Sequence, residues 1–334
     1  MYEAYYHLTA KPFQLSPDPS FFYGSKGHNR AMSYLEYGLH QGEGFIIVTG
    51  EIGAGKTTLV RNLFRKLPGD KIIAAHLVST QLDSDDILRM VAAALGLKDI
   101  EGNKVTVLRR IEDYLRECSA RQKRVLLVVD EAQNLTAKAV EELRMLSNFQ
   151  VGEKPLMQSF LLGQPEFRDT LRGEDLLQLR QRVIASYHLG AMDEAETRAY
   201  IEYRLRTAGW QGASLFTDDA YAAIHQFSKG IPRMINTLCD RLLLMGYLDE
   251  LKQIGGIQVN QVIDEMRQEM AFVDPEEAIK PVGGASRTVA NTQLALELFE
   301  QRLNKIEDSV GNVLKLSRQI LDLASVKRIV EEKH

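Results

Sequence analysis

The eight residues 50–57 place the tightest constraint on the fold of this 334-residue chain. Their sequence, GEIGAGKT, fits the pattern G-x-x-x-x-G-K-[ST] at every defined position, and it directly follows the apolar run 45–49. Glycines let successive backbone N–H groups turn inward around an anion, and the positive end of a following helix adds to that cradle. The motif therefore predicts a strand, a phosphate-binding loop and a helix, in that order.

The same motif predicts which residues bind a nucleotide. Lys56 is expected to bridge the terminal phosphates of ATP, and the Thr57 hydroxyl is expected to ligate Mg²⁺. The complete predicted binding set is Gly50, Glu51, Ile52, Gly53, Ala54, Gly55, Lys56, Thr57 and Thr58.

A loop of this kind needs a second group on the metal side, at the end of a neighbouring strand. The run 125–129 consists of five apolar residues and is followed by Asp130 and Glu131. Asp130 is expected to hold Mg²⁺ through its water shell. Glu131, one residue further along, is expected to polarise the attacking water as a general base. Acids at strand ends are common, so it is their pairing with the loop that indicates nucleotide hydrolysis.

Short apolar runs alternate with amphipathic segments over the first 190 residues. Strands are predicted at 45–49, 71–78, 124–129, 158–162 and 183–189, with helices between them at 56–67, 84–95, 105–118 and 137–149. Such apolar strands separated by helices predict an α/β fold with a parallel sheet covered on both faces. The strand at 71–78, between the loop and the acid pair, is typical of the additional-strand P-loop ATPases. It favours hydrolysis over transfer to a small-molecule acceptor.

Composition and periodicity divide the chain into five predicted segments. They are an aromatic- and proline-rich segment with one helix (1–44), a P-loop core (45–192), a small all-helical lid domain (193–271), a linker (272–287) and a coiled-coil helix (288–334). The coiled coil is predicted because apolar residues step by three and four from Leu296 to Ala324, with a polar break at Ser317. The alternative is a helix that packs back on the ATPase body.

Composition also excludes several classes of protein. There are 45 acidic and 41 basic residues, which leaves a net charge of −4 and no strong overall field for nucleic acid or anionic lipid. The two cysteines, Cys118 and Cys239, form no CxxC pair, so neither a disulfide framework nor a cysteine zinc site is predicted. The sequence lacks a signal-peptide pattern and an apolar run of about 18 residues. We therefore expect a cytoplasmic protein without a membrane span, held peripherally at the inner membrane at most through partners.

Taken in order along residues 1–270, a series of motifs resembles the AAA+ ATPases of the ExeA/GspA secretion type. The series is Phe13 with Pro17-Asp18-Pro19 and Phe21-Phe22, His28, the phosphate loop, Asp130-Glu131-Ala132-Gln133, Gly163-Gln164-Pro165-Glu166, Gln181-Arg182-Val183 and Gly230-Ile231-Pro232-Arg233. Within that family the chain looks closest to the secretion ATPases found with exosortase (PEP-CTERM) and exopolysaccharide systems.

The resemblance implies further site residues. Gln164 takes the place of the sensor-1 residue that orients the lytic water, and Arg233 that of the sensor-2 arginine on the lid. Arg182 takes the place of the arginine finger that reaches the γ-phosphate of a neighbouring subunit, with Arg180 as the alternative. The competing interpretation of either arginine is a surface salt bridge. His28 is a candidate contact of the nucleotide base.

The resulting prediction is a Mg²⁺-dependent ATPase that forms a ring or filament and drives assembly or export in an envelope secretion or exopolysaccharide system. One alternative is a DNA-binding AAA+ ATPase of the transposition MuB/TniB type, which the net charge and the lack of a helix-turn-helix pattern disfavour. The other is a slow ATP switch that recruits partners through the coiled coil.

Overall fold

Five parallel strands form the central sheet in the order β2-β3-β6-β1-β7. Two very short strands, β4 and β5, pair in an antiparallel hairpin outside it. The bounds are β1 (Phe45–Gly50), β2 (Ile72–Val78), β3 (Arg124–Asp130), β4 (Gln150–Val151), β5 (Lys154–Pro155), β6 (Met157–Gly163) and β7 (Val183–Leu189). The five predicted strands are confirmed to within a residue or two, and the hairpin was not predicted.

Eight α-helices precede the last strand of the sheet in the part of the chain that the computed structural model describes, residues 2–16, 18–78, 84–98, 102–173 and 176–271. They are α1 (Tyr2–Tyr5), α2 (Lys26–Gln41), α3 (Lys56–Lys66), α4 (Ser84–Ala94), α5 (Lys104–Ala120), α6 (Ala137–Leu146), α7 (Glu166–Arg172) and α8 (Leu177–Arg180). The predicted linker and coiled-coil helix, residues 272–334, lie outside the described residues.

An all-helical part follows the sheet, as predicted. It comprises α9 (Glu194–Thr207), α10 (Asp218–Ser228), α11 (Pro232–Leu248) and α12 (Gly256–Ala271). At the start of helix α12, the carboxylate of Asp219 accepts a hydrogen bond from the Gly256 amide at 3.0 Å. That cap comes from another helix and leaves no local signal. None of the described helices is long and apolar enough to cross a membrane.

Both faces of the sheet are covered by helices. Phe45 and Ile47 belong to a core with α4, α5 and α6, whereas Ile46 and Val48 belong to the opposite core with α2 and α3. This alternation is the period-two pattern of a strand buried on both sides. It confirms the predicted α/β class, and the phosphate loop departs from the carboxyl end of β1, between β6 and the edge strand β7.

The N-terminal segment packs into the core of the helical part, a contact that the sequence analysis did not predict. Tyr2, Tyr6, Phe13 and Phe21 are buried in one cluster with residues of α9 to α12. The Thr9 amide also donates to the Ala208 carbonyl at 2.8 Å. Residues 1–269 accordingly group as one compact unit, and the boundary predicted at residue 44 stays a prediction.

Candidate nucleotide-binding and hydrolysis site

Two glycines give the loop between β1 and α3 its shape. Gly53 has φ +81° and Gly55 has φ +97°, a backbone region that side chains disfavour. A Cβ added to Gly53 would lie 2.3 Å from the Arg233 Cβ, and one added to Gly55 would lie 2.7 Å from His28 Nε2. The loop is therefore packed so closely against Arg233 and His28 that a side chain at either glycine would displace a neighbour.

Lys56 begins helix α3 and is almost fully buried. Its ammonium group donates to the carbonyl oxygens of Gly50 at 2.7 Å and Glu51 at 3.1 Å. Burial lowers the pKa of Lys56, and the nearby charges of Glu131 and Asp130 offset that effect only in part. A buried cation with carbonyl partners alone would gain from an anionic ligand such as a phosphate.

Thr57 and Asp130, the two residues predicted to hold a metal, are in direct contact. The Thr57 hydroxyl donates to Asp130 Oδ2 at 2.6 Å, and the Glu131 amide donates to Oδ1 at 3.0 Å. Burial would raise the pKa of Asp130, but the His76 imidazole 3.8 Å away and these two hydrogen bonds outweigh it and lower the pKa.

An ionised carboxylate beside a hydroxyl is the oxygen donor set that Mg²⁺ prefers, so these residues fit the ion. Among the described residues, no group of three or more His, Cys, Asp or Glu side chains could hold a metal by itself. A metal held here would therefore take further ligands from phosphate oxygens and water.

Glu131 stands at the end of β3 in the left-handed region, with φ 55° and ψ 41°. Such a conformation costs about 1–3 kcal/mol in a non-glycine residue and persists where contacts over-determine it. Two amides supply such contacts, since Gln133 Nε2 donates to Glu131 Oε2 at 2.6 Å and Gln164 Nε2 donates to the same oxygen at 3.3 Å. The structure thus brings the predicted base and the predicted sensor-1 residue together.

Gln133 is a site residue to which the sequence analysis assigned no function. The sequence feature that could have indicated a role for Gln133 at the site was its place in the Asp130-Glu131-Ala132-Gln133 series.

A cavity of about 220 Å³ opens above the loop. Lys56 and Thr57 line it from the start of α3 and Glu131 from the end of β3, while Phe21 and Arg204 line it from the N-terminal segment and the helical part. All three parts of the fold therefore border the space in which a nucleotide would bind.

Arg204 joins the N-terminal segment to helix α9. Its buried guanidinium donates to the Pro12 carbonyl and to the Tyr200 hydroxyl, the latter at 2.9 Å, and lies 5.1 Å from the centre of the Phe21 ring. The Tyr200 hydroxyl in turn donates to Asn236 Oδ1 at 2.8 Å. These contacts tie the cavity wall to α9 and α11.

His28 contacts the loop itself and also borders the cavity, and its predicted contact with the nucleotide base stays a prediction. Its Nε2 lies 3.0 Å from the Ala54 carbonyl, and its Nδ1 lies 2.7 Å from the Ser25 hydroxyl. Burial lowers the pKa of His28 and favours the neutral ring. Because a carbonyl only accepts, Nε2 carries the proton, so His28 links the start of α2 to the loop.

Arg233 lies where the lid contacts the loop. It follows Pro232 at the start of α11, and its amide donates to the Gly53 carbonyl at 3.2 Å. Its side chain is exposed and borders the cavity, so it can reach toward a bound phosphate.

Arg182 and Arg180 lie apart from this site. The Arg182 carbonyl accepts from the Phe45 amide, at the end of β1 opposite the loop, and its guanidinium donates to the Ser147 hydroxyl at 2.9 Å. Arg180 donates to the carbonyls of Leu171 and Arg172 and so caps α7. Neither side chain borders the cavity of its own chain.

Solved structures of known proteins show the same fold. The ORC1 protein of Aeropyrum pernix in complex with DNA aligns with a TM-score of 0.58 and 16% identity, over 79% of this chain and 72% of that one. Cdc6p from Pyrobaculum aerophilum aligns with a TM-score of 0.58 and 16% identity, over 79% and 70%. At these identities the likeness shows the fold alone.

Sequence comparison identifies the family. A family model described as AAA domain matches residues 39–171. The chain is also 39% identical over 248 residues to general secretion pathway protein A of Aeromonas hydrophila. That match covers 74% of this chain and 45% of the relative, so the chain spans less than half of that protein's length. With its P-loop and parallel sheet, the chain belongs to the AAA+ proteins of the general secretion pathway protein A type.

Proposed function

We propose that this protein binds ATP together with Mg²⁺ and hydrolyses it. The observation that carries the proposal is the 2.6 Å hydrogen bond from the Thr57 hydroxyl to Asp130 Oδ2, which joins the phosphate loop to the end of β3. A phosphate loop and an acidic strand end that meet in this way are the two halves of a nucleotide-hydrolysis site.

Each site residue then has a chemical task. The loop amides and Lys56 bind the β- and γ-phosphates, while Thr57 and Asp130 hold the metal, which when bound neutralises phosphate charge. Glu131 accepts a proton from the attacking water. Gln164 orients that water, and Arg233 reaches the phosphates from the helical part.

Replacing Thr57 by valine tests the metal assignment. We expect the wild type to hydrolyse ATP only with Mg²⁺, and T57V to lose at least about tenfold in turnover because the metal loses a ligand. The affinity of T57V for ATP should no longer increase when Mg²⁺ is added, which titration with and without EDTA measures. The matched control is T207V, since Thr207 is exposed on α9 and its hydroxyl donates to the Tyr203 carbonyl one turn earlier. An ATP affinity that responds to Mg²⁺ equally in T57V and the wild type would contradict the assignment.

We further propose that Arg182 acts as a finger on a neighbouring subunit. The support is its position away from its own cavity together with its place in the family series. R182A should turn over at least about tenfold more slowly than the wild type. Adding K56A subunits, which would not bind ATP but retain Arg182, should restore turnover to R182A sites.

The same mixing experiment also tests the alternative finger. If R180A shows the loss and the recovery while R182A does not, then Arg180 is the finger. If mixing restores neither variant, a finger acting between subunits is wrong.

For the cellular function we propose a subunit of an envelope secretion system, acting from the cytosolic side as a self-associating ATPase. The support is the 39% identity to general secretion pathway protein A. The finer assignment to exosortase or exopolysaccharide systems stays a prediction. Purification of the tagged protein from its own cells should recover envelope components in an ATP-dependent manner, and recovery of DNA instead would favour the MuB/TniB alternative.

A further inference from the structure

A second glutamine lies beside the predicted base and has no task in the mechanism above. Gln133 sits in the short 3₁₀ turn Ala132–Asn134, directly after Glu131. Its side chain bridges two strand ends, because Nε2 donates to Glu131 Oε2 at 2.6 Å and Oε1 accepts from the Gln164 amide at 3.0 Å. The bridge joins the carboxyl end of β3 to that of β6, next to it in the sheet.

The orientation of the Gln133 amide follows from its neighbours. A backbone N–H can only donate, so the Gln133 atom facing the Gln164 amide must be the carbonyl oxygen. The NH₂ group is thereby directed at Glu131. Because the NH₂ group lies 2.6 Å from Glu131 Oε2, that oxygen is the acceptor of the hydrogen bond.

The two carboxylate oxygens of Glu131 consequently differ in the hydrogen bonds that they accept. Oε2 accepts from both Gln133 and Gln164, whereas Oε1 receives no hydrogen bond from the described residues. Glu131 also borders the cavity. The amide bridge therefore leaves one oxygen available to a water molecule there.

We propose that Gln133 is a positioning residue for ATP hydrolysis, which holds the Glu131 carboxylate with one oxygen free for the attacking water. This inference rests on the proposed ATPase function. Gln133 itself contacts neither phosphate nor metal in the mechanism, so it acts through Glu131 and through the Gln164 backbone that it also holds. Losing it should slow the chemical step and leave ATP binding unchanged.

The first test replaces Gln133 by leucine, which keeps most of the volume and removes both hydrogen bonds. We expect kcat to fall by about tenfold to a hundredfold, since misplacing a reacting group by about 1 Å has effects of that size. The Kd for ATP and the melting temperature should stay close to those of the wild type. The matched control is Q261L, because Gln261 also donates an amide to a carboxylate, that of Glu265, but on the exposed face of α12.

The second test replaces Gln133 by glutamate and follows kcat against pH. Two carboxylates at this distance repel unless they share a proton, so the bridge to Glu131 re-forms only in the protonated pair. Relative to the wild type, Q133E should recover activity as the pH falls from about 8.5 to about 6. Q133L should show a constant deficit over the same range.

Three results would overturn the inference alone: wild-type turnover in Q133L, an equal loss of ATP affinity and turnover in Q133L, or a Q133E deficit that does not change with pH. A wild type that binds ATP without hydrolysing it would instead overturn the proposed function, and the inference with it.

Discussion

K56A should lose nearly all affinity for ATP while keeping its fold. The Lys56 ammonium already lies within hydrogen-bonding distance of the loop, on the Gly50 and Glu51 carbonyls, and needs only a small movement to reach a phosphate. A charge-assisted hydrogen bond contributes about 1.5–3 kcal/mol, and two of them correspond to about a hundredfold to about twenty-thousandfold in Kd. Titration with a fluorescent ATP analogue measures the effect.

The stability of K56A separates a binding defect from a folding defect. Burial lowers the pKa of Lys56, which means that the folded state disfavours the charged ammonium group. Removing that charge therefore stabilises the fold and offsets the stability lost with the two hydrogen bonds. The melting temperature without nucleotide should therefore stay close to that of the wild type. The matched control is K66A at the end of the same helix, where Lys66 makes only an exposed ion pair with Glu36. Wild-type ATP affinity in K56A would contradict the assignment of the loop.

The loop and the sheet could be predicted because their signals are local. Gly53 and Gly55 adopt positive φ values that favour glycine, so the glycines of the motif predict the backbone conformation of the loop. Strands β1 and β3 are buried along almost their whole length, and their sequences contain the unbroken apolar runs 45–48 and 125–129. Asp130 could be placed because it ends such a run.

The contacts that complete the site could not be predicted, because they join residues distant in sequence. Gln133 meets the Gln164 amide 31 residues later, and Arg204 meets the Pro12 carbonyl 192 residues earlier. An aromatic segment rich in proline suggests loop and turn, and only the helical core that it packs against shows why Tyr2, Phe13 and Phe21 are buried. Periodicity within a window carries no information about such partners.

E131Q should bind ATP normally and hydrolyse it about a hundredfold to a thousandfold more slowly. The change keeps the shape of the side chain and one oxygen that can still accept from Gln133 and Gln164. It removes the carboxylate that would take a proton from water, and a positioned general base contributes about 10²–10⁴ in rate. Single-turnover hydrolysis together with an ATP titration measures both quantities.

E166Q separates the loss of a base from the loss of a nearby negative charge. Glu166 is exposed at the start of α7, and like Glu131 its charge acts on Lys56. If Glu131 acts only because its negative charge lies near the Lys56 ammonium, both E131Q and E166Q should change ATP affinity. In that case neither variant should lose turnover while still binding ATP normally. If Glu131 is the base, E166Q should resemble the wild type while E131Q retains bound ATP. Equal single-turnover rates in E131Q and the wild type would show that another group activates the water.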